Sequence, residues 1–276
     1  MTTSLEPNPA TLTDRDRSTN RRTATATDLR ERWTAVSPPA FVRLWLVELR
    51  KLVDTPAGII LLAVGALSAG VFGGGAVLLR PDTTYGEVAR MAGIPGGMLL
   101  PVLAILLVTS ERSHRTALST FAMEPRRSRV LLAKAGAVVT LAVAVTVLSL
   151  VAAAVITPVG SMITGHEIPW QIEWQEPLWF TLGTVLAGLS GFALALLIGN
   201  GPAAIVIVLG WPTIALIMSI VPEVQEVLSW VDVAAVSTLE DGATGTEVAK
   251  VITGIACWVV VPGIIGWIRT VRSEVV

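Results

Sequence analysis

From residue 57 onward, long apolar runs alternate with short polar segments. Six runs, 57–79, 92–110, 135–157, 178–198, 202–221 and 251–268, each come near the ~20 residues that a helix needs to cross ~30 Å of hydrocarbon. None contains Lys, Arg, Asp, Glu or His. In hydrocarbon every backbone N–H and C=O has to be paired within the protein, so runs of this length predict helices. The pattern therefore predicts an all-α polytopic membrane protein with six transmembrane helices. Pro95, Pro101, Pro212 and Pro262 fall in or near the spans, where each removes a helix hydrogen bond and permits a kink.

The segment before the first span has a different period. Over 39–54, Phe41, Leu44, Trp45, Leu49 and Leu52 recur at helical spacing, while Arg43, Arg50 and Asp54 fall on another face. This predicts an amphipathic interfacial helix. Residues 1–38 are polar, rich in Thr, Arg and Asp, and hold no apolar stretch of signal-peptide type. With so little to bury they are expected to form a disordered tail. The chain thus divides into a tail (1–38), a connecting helix (39–54) and a six-span domain (55–276).

The loops are unequal. Between the fourth and fifth spans there is little more than Asn200-Gly201, with Pro202 opening the next helix, which predicts a tight helical hairpin. The segment 222–250 is long for a connection, and Val224, Val227, Leu228 and Val231 repeat at helical spacing, so a short helix that dips into the outer leaflet or caps the bundle is expected there. Between the second and third spans lies 111–134, ERSHRTALSTFAMEPRRSRVLLAK, with six basic residues against two acids. Ala117, Leu118, Phe121 and Ala122 give it a small apolar stripe, and Pro125 ends that turn of helix. Two readings fit equally: a helix that presses its stripe into a cytosolic partner, or an interfacial helix whose arginines bind lipid phosphate.

Composition sharpens this picture. Charged residues make up 15% of the 276 and apolar ones 53%, far from the ~25% charged residues of soluble domains. Of the 20 Lys and Arg, 17 fall on the side shared by both termini and the 111–134 loop, leaving Arg80, Arg90 and Lys250 opposite. By the positive-inside rule both termini are expected to be cytoplasmic. Trp170, Trp174, Trp179 and Trp230 then belong to the outer interface, and Trp45 and Trp267 to the inner one. In the fourth span Gly183, Ala187, Gly191 and Ala195 recur every fourth position, a small-residue stripe that suits helix packing within the subunit or a dimer contact.

Candidate chemistry is sparse. The single cysteine, Cys257, lies in a span, and His114 and His166 sit in different loops without a ligand set around them. No G-x-x-x-x-G-K-[ST] phosphate loop occurs, and no nucleophile–His–acid set. No catalytic, cofactor or metal residue is expected, and no nucleic-acid partner. Ionisable groups inside the membrane would mark an ion-coupled secondary transporter; the sequence shows no such group and no internal repeat.

Two segments resemble the membrane subunits of ABC-type-2 exporters, especially actinobacterial ones. Glu48-Leu49-Arg50-Lys51-Leu52-Val53-Asp54-Thr55 is similar to that family's connecting helix. Ser110-Glu111-Arg112 through Thr116, then Thr120, Pro125-Arg126-Arg127 and Leu131-Leu132-Ala133-Lys134, is similar to its loop between the second and third spans. His114-Arg115 and Met123-Glu124 depart from the usual pattern. The resemblance implies that Glu111, Arg112, Arg115, Thr116, Leu118, Phe121, Pro125, Arg126 and Arg127 dock a separate cytosolic ATPase subunit, and that Glu48, Arg50 and Lys51 belong to the connecting helix. It also implies a second permease subunit, identical or not, ATP and Mg held on the ATPase alone, and a bacterial plasma-membrane location. The chain would then not itself be an enzyme, and uncharged spans favour an amphipathic or hydrophobic substrate such as a drug, natural product or lipid. The competing expectation is a non-transporting membrane subunit, for immunity or signalling, that recruits a cytosolic partner.

Overall fold

The computed structural model describes residues 40–113, 127–232, 236, 239 and 244–272. The expected tail, 1–38, lies outside them. Among the described residues every regular element is helical: α1 (Phe41–Asp54), α2 (Pro56–Leu79), α3 (Tyr85–Ser113), α4 (Arg127–Thr164), α5 (Gln175–Ile198), α6 (Gly201–Met218), α7 (Pro222–Ser229), α8 (Gly245–Ile255) and α9 (Val261–Arg272), with a π-helical turn, Ala256–Val260, joining the last two. Six of these elements are long and apolar enough to cross a membrane: α2, α3, α4, α5, α6 and the continuous α8–α9 rod. The protein is therefore a helical chain with six candidate spans, as its hydropathy predicts.

Several helices outrun their apolar windows. The third expected span, 135–157, is the middle of a helix that runs Arg127–Thr164, and the sixth begins at Gly245 rather than 251. Backbone hydrogen bonding continues past the point where side chains become polar, because caps and loop contacts satisfy the ends. At the start of α8, Thr244 and Glu247 form a capping box, each side chain bonded to the other residue's backbone N–H.

Burial divides the bundle into a centre and a periphery. In α3 and α5, 61% and 56% of the most apolar 18-residue window is buried, against 11% in both α2 and α6. α3 packs on α2, α4 and α5, and α5 in turn on α9. The main core runs through Leu100, Leu103, Ile105, Val138, Leu141, Phe192 and Leu196. The apolar faces of α2 and α6 are exposed over Ile60, Leu67, Val71, Val206 and Leu216, as suits helices whose solvent is lipid.

Close backbone approaches set this arrangement. A Cβ on Gly191 would come 2.5 Å from the carbonyl O of Pro101 and 2.8 Å from its Cα, so α3 and α5 touch main chain to main chain. Gly266 brings α9 equally near Leu196 and Leu197, with its own Cβ position 2.6–2.7 Å from them. Arg269 Nη1 donates to the Leu197 carbonyl at 3.1 Å and so caps the end of α5. The hairpin that follows is tight: Gly199 takes the left-handed conformation (φ 71°), and the Asn200 side chain accepts from Ala203 N at 3.2 Å to start α6.

Candidate functional site

α1 presents Leu44, Trp45, Glu48, Leu49 and Leu52 on one face, an acid in the middle of an apolar stripe. That face packs on α4 and α2, burying Leu52 and Glu48, while Phe41, Leu46, Val47 and Val53 stay exposed. Trp45 packs over Gly136 of α4, its Cδ1 3.4 Å from where a Cβ would stand, an ordinary van der Waals distance. Its indole N–H donates to Thr140 Oγ1 at 3.2 Å. The helix is thus held by packing, and Phe41, which shares the apolar helical spacing, stays exposed.

Glu48 is the centre of a buried polar cluster. Lys134 Nζ donates to Glu48 Oε2 at 2.7 Å and to the Leu107 carbonyl at 3.1 Å. Lys51 Nζ donates to the other carboxylate oxygen at 2.8 Å. The Glu48 and Lys134 side chains are only 5% and 4% exposed. Moving two charges out of water is costly, and a pair this buried persists only where geometry is good and further hydrogen bonds are made. Here both carboxylate oxygens are engaged and the ammonium has a second acceptor. One cluster thereby joins three helices: α1 through Glu48, α3 through Leu107 and α4 through Lys134.

The position of the cluster matters. Leu107 is six residues before the described end of α3, and Lys134 is seven after the start of α4. At the helical rise the pair stands about 10 Å inside the two helix ends between which 114–126 is strung.

Of the residues expected to dock a partner, Arg115, Thr116, Leu118, Phe121, Pro125 and Arg126 lie outside the described residues. Glu111 and Arg112 belong to the last turn of α3, and Arg127 opens α4. In the connecting helix, Glu48 and Lys51 enter the cluster, whereas Arg50 pairs with Asp54 at 3.1 Å on the exposed face, a contact that contributes little. Along the small-residue stripe of α5, Gly191 and Ala195 are buried within the chain, Ala187 is half-buried, and a Cβ on Gly183 would stand 3.6 Å from Val236.

The buried pair Glu48 and Lys134 is not anticipated by the reading of the spans. Both lie just outside the apolar windows, where hydropathy alone reads them as interfacial. The overlooked signal was Glu48 itself, three residues from Trp45 and four from Leu52 on the packed face.

The opposite end of the bundle carries a second set of polar contacts. α7 is present where the short capping helix was expected, and it is clasped to α8. Lys250 Nζ bonds Glu226 Oε1 at 3.1 Å and lies 5.8 Å from the Trp230 ring centre, while the Trp258 indole donates to the Val231 carbonyl at 2.6 Å. Hydrogen bonding to Lys250, its charge and the Trp230 N–H together hold the Glu226 carboxyl below its ordinary value of 4.5. A carboxyl with a lowered folded-state pKa contributes stability above its unfolded pKa and loses it as pH falls through the folded one. The clasp is therefore expected to stay closed at neutral pH and to release only below the ordinary carboxylate range. Tryptophan fluorescence followed from pH 7 to about 3 should show one transition that Glu226→Gln abolishes; an unchanged transition in that variant would sink the assignment.

Among the described residues, no group of three or more His, Cys, Asp or Glu is placed to hold a metal ion. No protein-family model, curated protein or solved structure matches the chain.

Proposed function

We propose that this chain is the permease subunit of an ATP-binding-cassette exporter of the ABC-type-2 kind. It would work as a pair of permease subunits with separate ATPase subunits that dock on the 111–134 loop. The observation that carries the reading is the buried Glu48–Lys134–Leu107 cluster. It gives the amphipathic helix before the first span a rigid link to both helices that bracket the basic loop. A loop that only bound lipid phosphate would need no such link, whereas a loop that receives mechanical work needs stiff connections to the spans. The resemblance of 48–55 and 110–134 to the connecting helix and coupling loop of that family supports the same reading, as does the uncharged character of the spans for an amphipathic or hydrophobic cargo.

The test is a tagged pull-down from native membranes in mild detergent, followed by ATPase assay in lipid nanodiscs. A soluble P-loop ATPase is expected to co-purify with the wild type. Leu118→Asp with Phe121→Asp is expected to lose it, since two carboxylates on an apolar docking stripe are desolvated without partners. Absence of any ATPase at near-native expression would turn the reading toward a membrane subunit that recruits a different cytosolic protein. Full retention by the double variant would move the docking surface away from this loop.

A further inference from the structure

The sixth span is continuous but not uniform. Its 28 residues, Gly245–Arg272, are interrupted near the middle by the π-helical turn Ala256–Val260. There the Val261 N–H donates to the Ala256 carbonyl, five positions back, instead of to Cys257, four back. Pro262, the other residue in register to serve the Cys257 carbonyl, has no N–H. The Cys257 carbonyl is therefore skipped by the helix ladder, and Gly263 follows directly. A π-turn, a proline and a glycine side by side are the local causes by which helices bend.

The two sides of the turn are held differently. α9 packs along α5, with Gly266 against the main chain of Leu196 and Leu197 and Arg269 bonded to the Leu197 carbonyl. α8 meets the bundle next to the turn, where Val251 and Ile255 join Leu186 and Trp179 in an apolar cluster. Farther from the turn, Thr244, Gly245, Thr246 and Val248 are exposed, and Lys250 ties the helix to α7 through Glu226 and the Trp230 ring. The turn itself is pinned by Trp258. Its indole N–H donates to the Val231 carbonyl at 2.6 Å, and its ring lies 5.1 Å from that of Trp211 on α6. A pinned joint with one arm fixed and the other latched is the arrangement of a hinge.

We propose that the π-helical turn is a hinge on which α8 swings as a rigid arm, latched against α7 by Lys250, while α9 stays fixed on α5. The bonding suits an element with two positions. If the Val261 N–H leaves the Ala256 carbonyl it can pass to that of Cys257, so the turn exchanges five-residue for four-residue bonding and rotates α8 with no net loss of a hydrogen bond. α8 keeps its own helix as it moves, because Thr244 and Glu247 cap it from within. The latch is weak enough to open: the Glu226 side chain is 66% exposed, and an exposed ion pair contributes little. The proposal rests on the geometry of the sixth span and not on the exporter reading, so either can fail alone.

Distances between pairs of nitroxide labels in the full chain, purified into lipid nanodiscs, test it. Cys257→Ser removes the one native thiol. Labels are carried on exposed positions by Val248→Cys in α8 and Ile264→Cys in α9, each paired with Met162→Cys in α4. Lys250→Ala releases the latch. It is expected to raise the population at a displaced 162–248 distance about tenfold, the combined loss of an ion pair and an aromatic contact, and to leave the 162–264 distance unchanged. Adding Pro262→Ala, which returns an N–H to the turn, should restore a single 162–248 distance. An unchanged 162–248 distribution in Lys250→Ala would overturn the proposal, since packing alone would then hold α8. Equal displacement of both pairs would overturn it too, because the span would be moving as one rod. A free-chain lineshape from the label at 248 would mean that α8 unwinds, and a displaced distance that persists with Pro262→Ala would put the pivot outside the turn; either result removes the hinge.

Discussion

Glu48→Ala is expected to destabilise the bundle by about 3–5 kcal/mol, because it leaves the Lys134 ammonium buried without its counter-charge. The Leu107 carbonyl, which also accepts from Lys134, does not neutralise it. The reverse change, Lys134→Ala, should cost less. It leaves Glu48 with Lys51, whose side chain is 36% exposed and keeps contact with solvent. Removing both charges together, as Glu48→Leu with Lys134→Met, should recover most of the loss, since an apolar pair of similar volume avoids the desolvation cost altogether. The measurement is unfolding of the purified protein in mixed micelles, read as a double-mutant cycle. A coupling energy near zero would mean that the two side chains do not interact in the folded protein. The stable double variant then serves a second purpose. If the cluster transmits force from the 111–134 loop, this variant should bind the proposed ATPase partner normally yet fail to link ATP hydrolysis to movement of the spans.

Gly191→Val is expected to cost at least about 3 kcal/mol, the upper part of the range for overpacking. The atoms that a side chain would meet are the carbonyl O and Cα of Pro101, and main chain cannot swing aside as a side chain does. α3 and α5 would have to separate, and they are the two most buried spans. Gly70→Ala is the matching control, because nothing lies within 4 Å of a Cβ there. In an open helical position alanine should stabilise by about 0.5–1 kcal/mol. Wild-type resistance to denaturant in Gly191→Val would refute the close approach of α3 and α5. Destabilisation by Gly70→Ala would instead place a second chain against that face of α2.

Much of the fold was legible in the amino-acid sequence. The number of spans, the hairpin at Asn200-Gly201, the amphipathic α1 and the short α7 all follow from local causes. These are the length of an apolar run, a proline at a helix start, a glycine that can turn left-handed, and a 3.6-residue period. Each can be read within about 20 residues of chain, and none needs knowledge of a neighbour. For the same reason the sequence put Gly191 on a small-residue stripe but could not name Pro101 as the residue set against it.

What only the tertiary structure decided is which polar groups meet. Glu48 and Lys134 are 86 residues apart, and each alone reads as an ordinary interfacial charge. Their burial depends on α1 folding back across α4 just where α3 offers the Leu107 carbonyl. Hydropathy is a sum over neighbours along the chain and survives without coordinates. The cost of a buried charge depends on every atom around it, and that environment exists only once the helices are assembled.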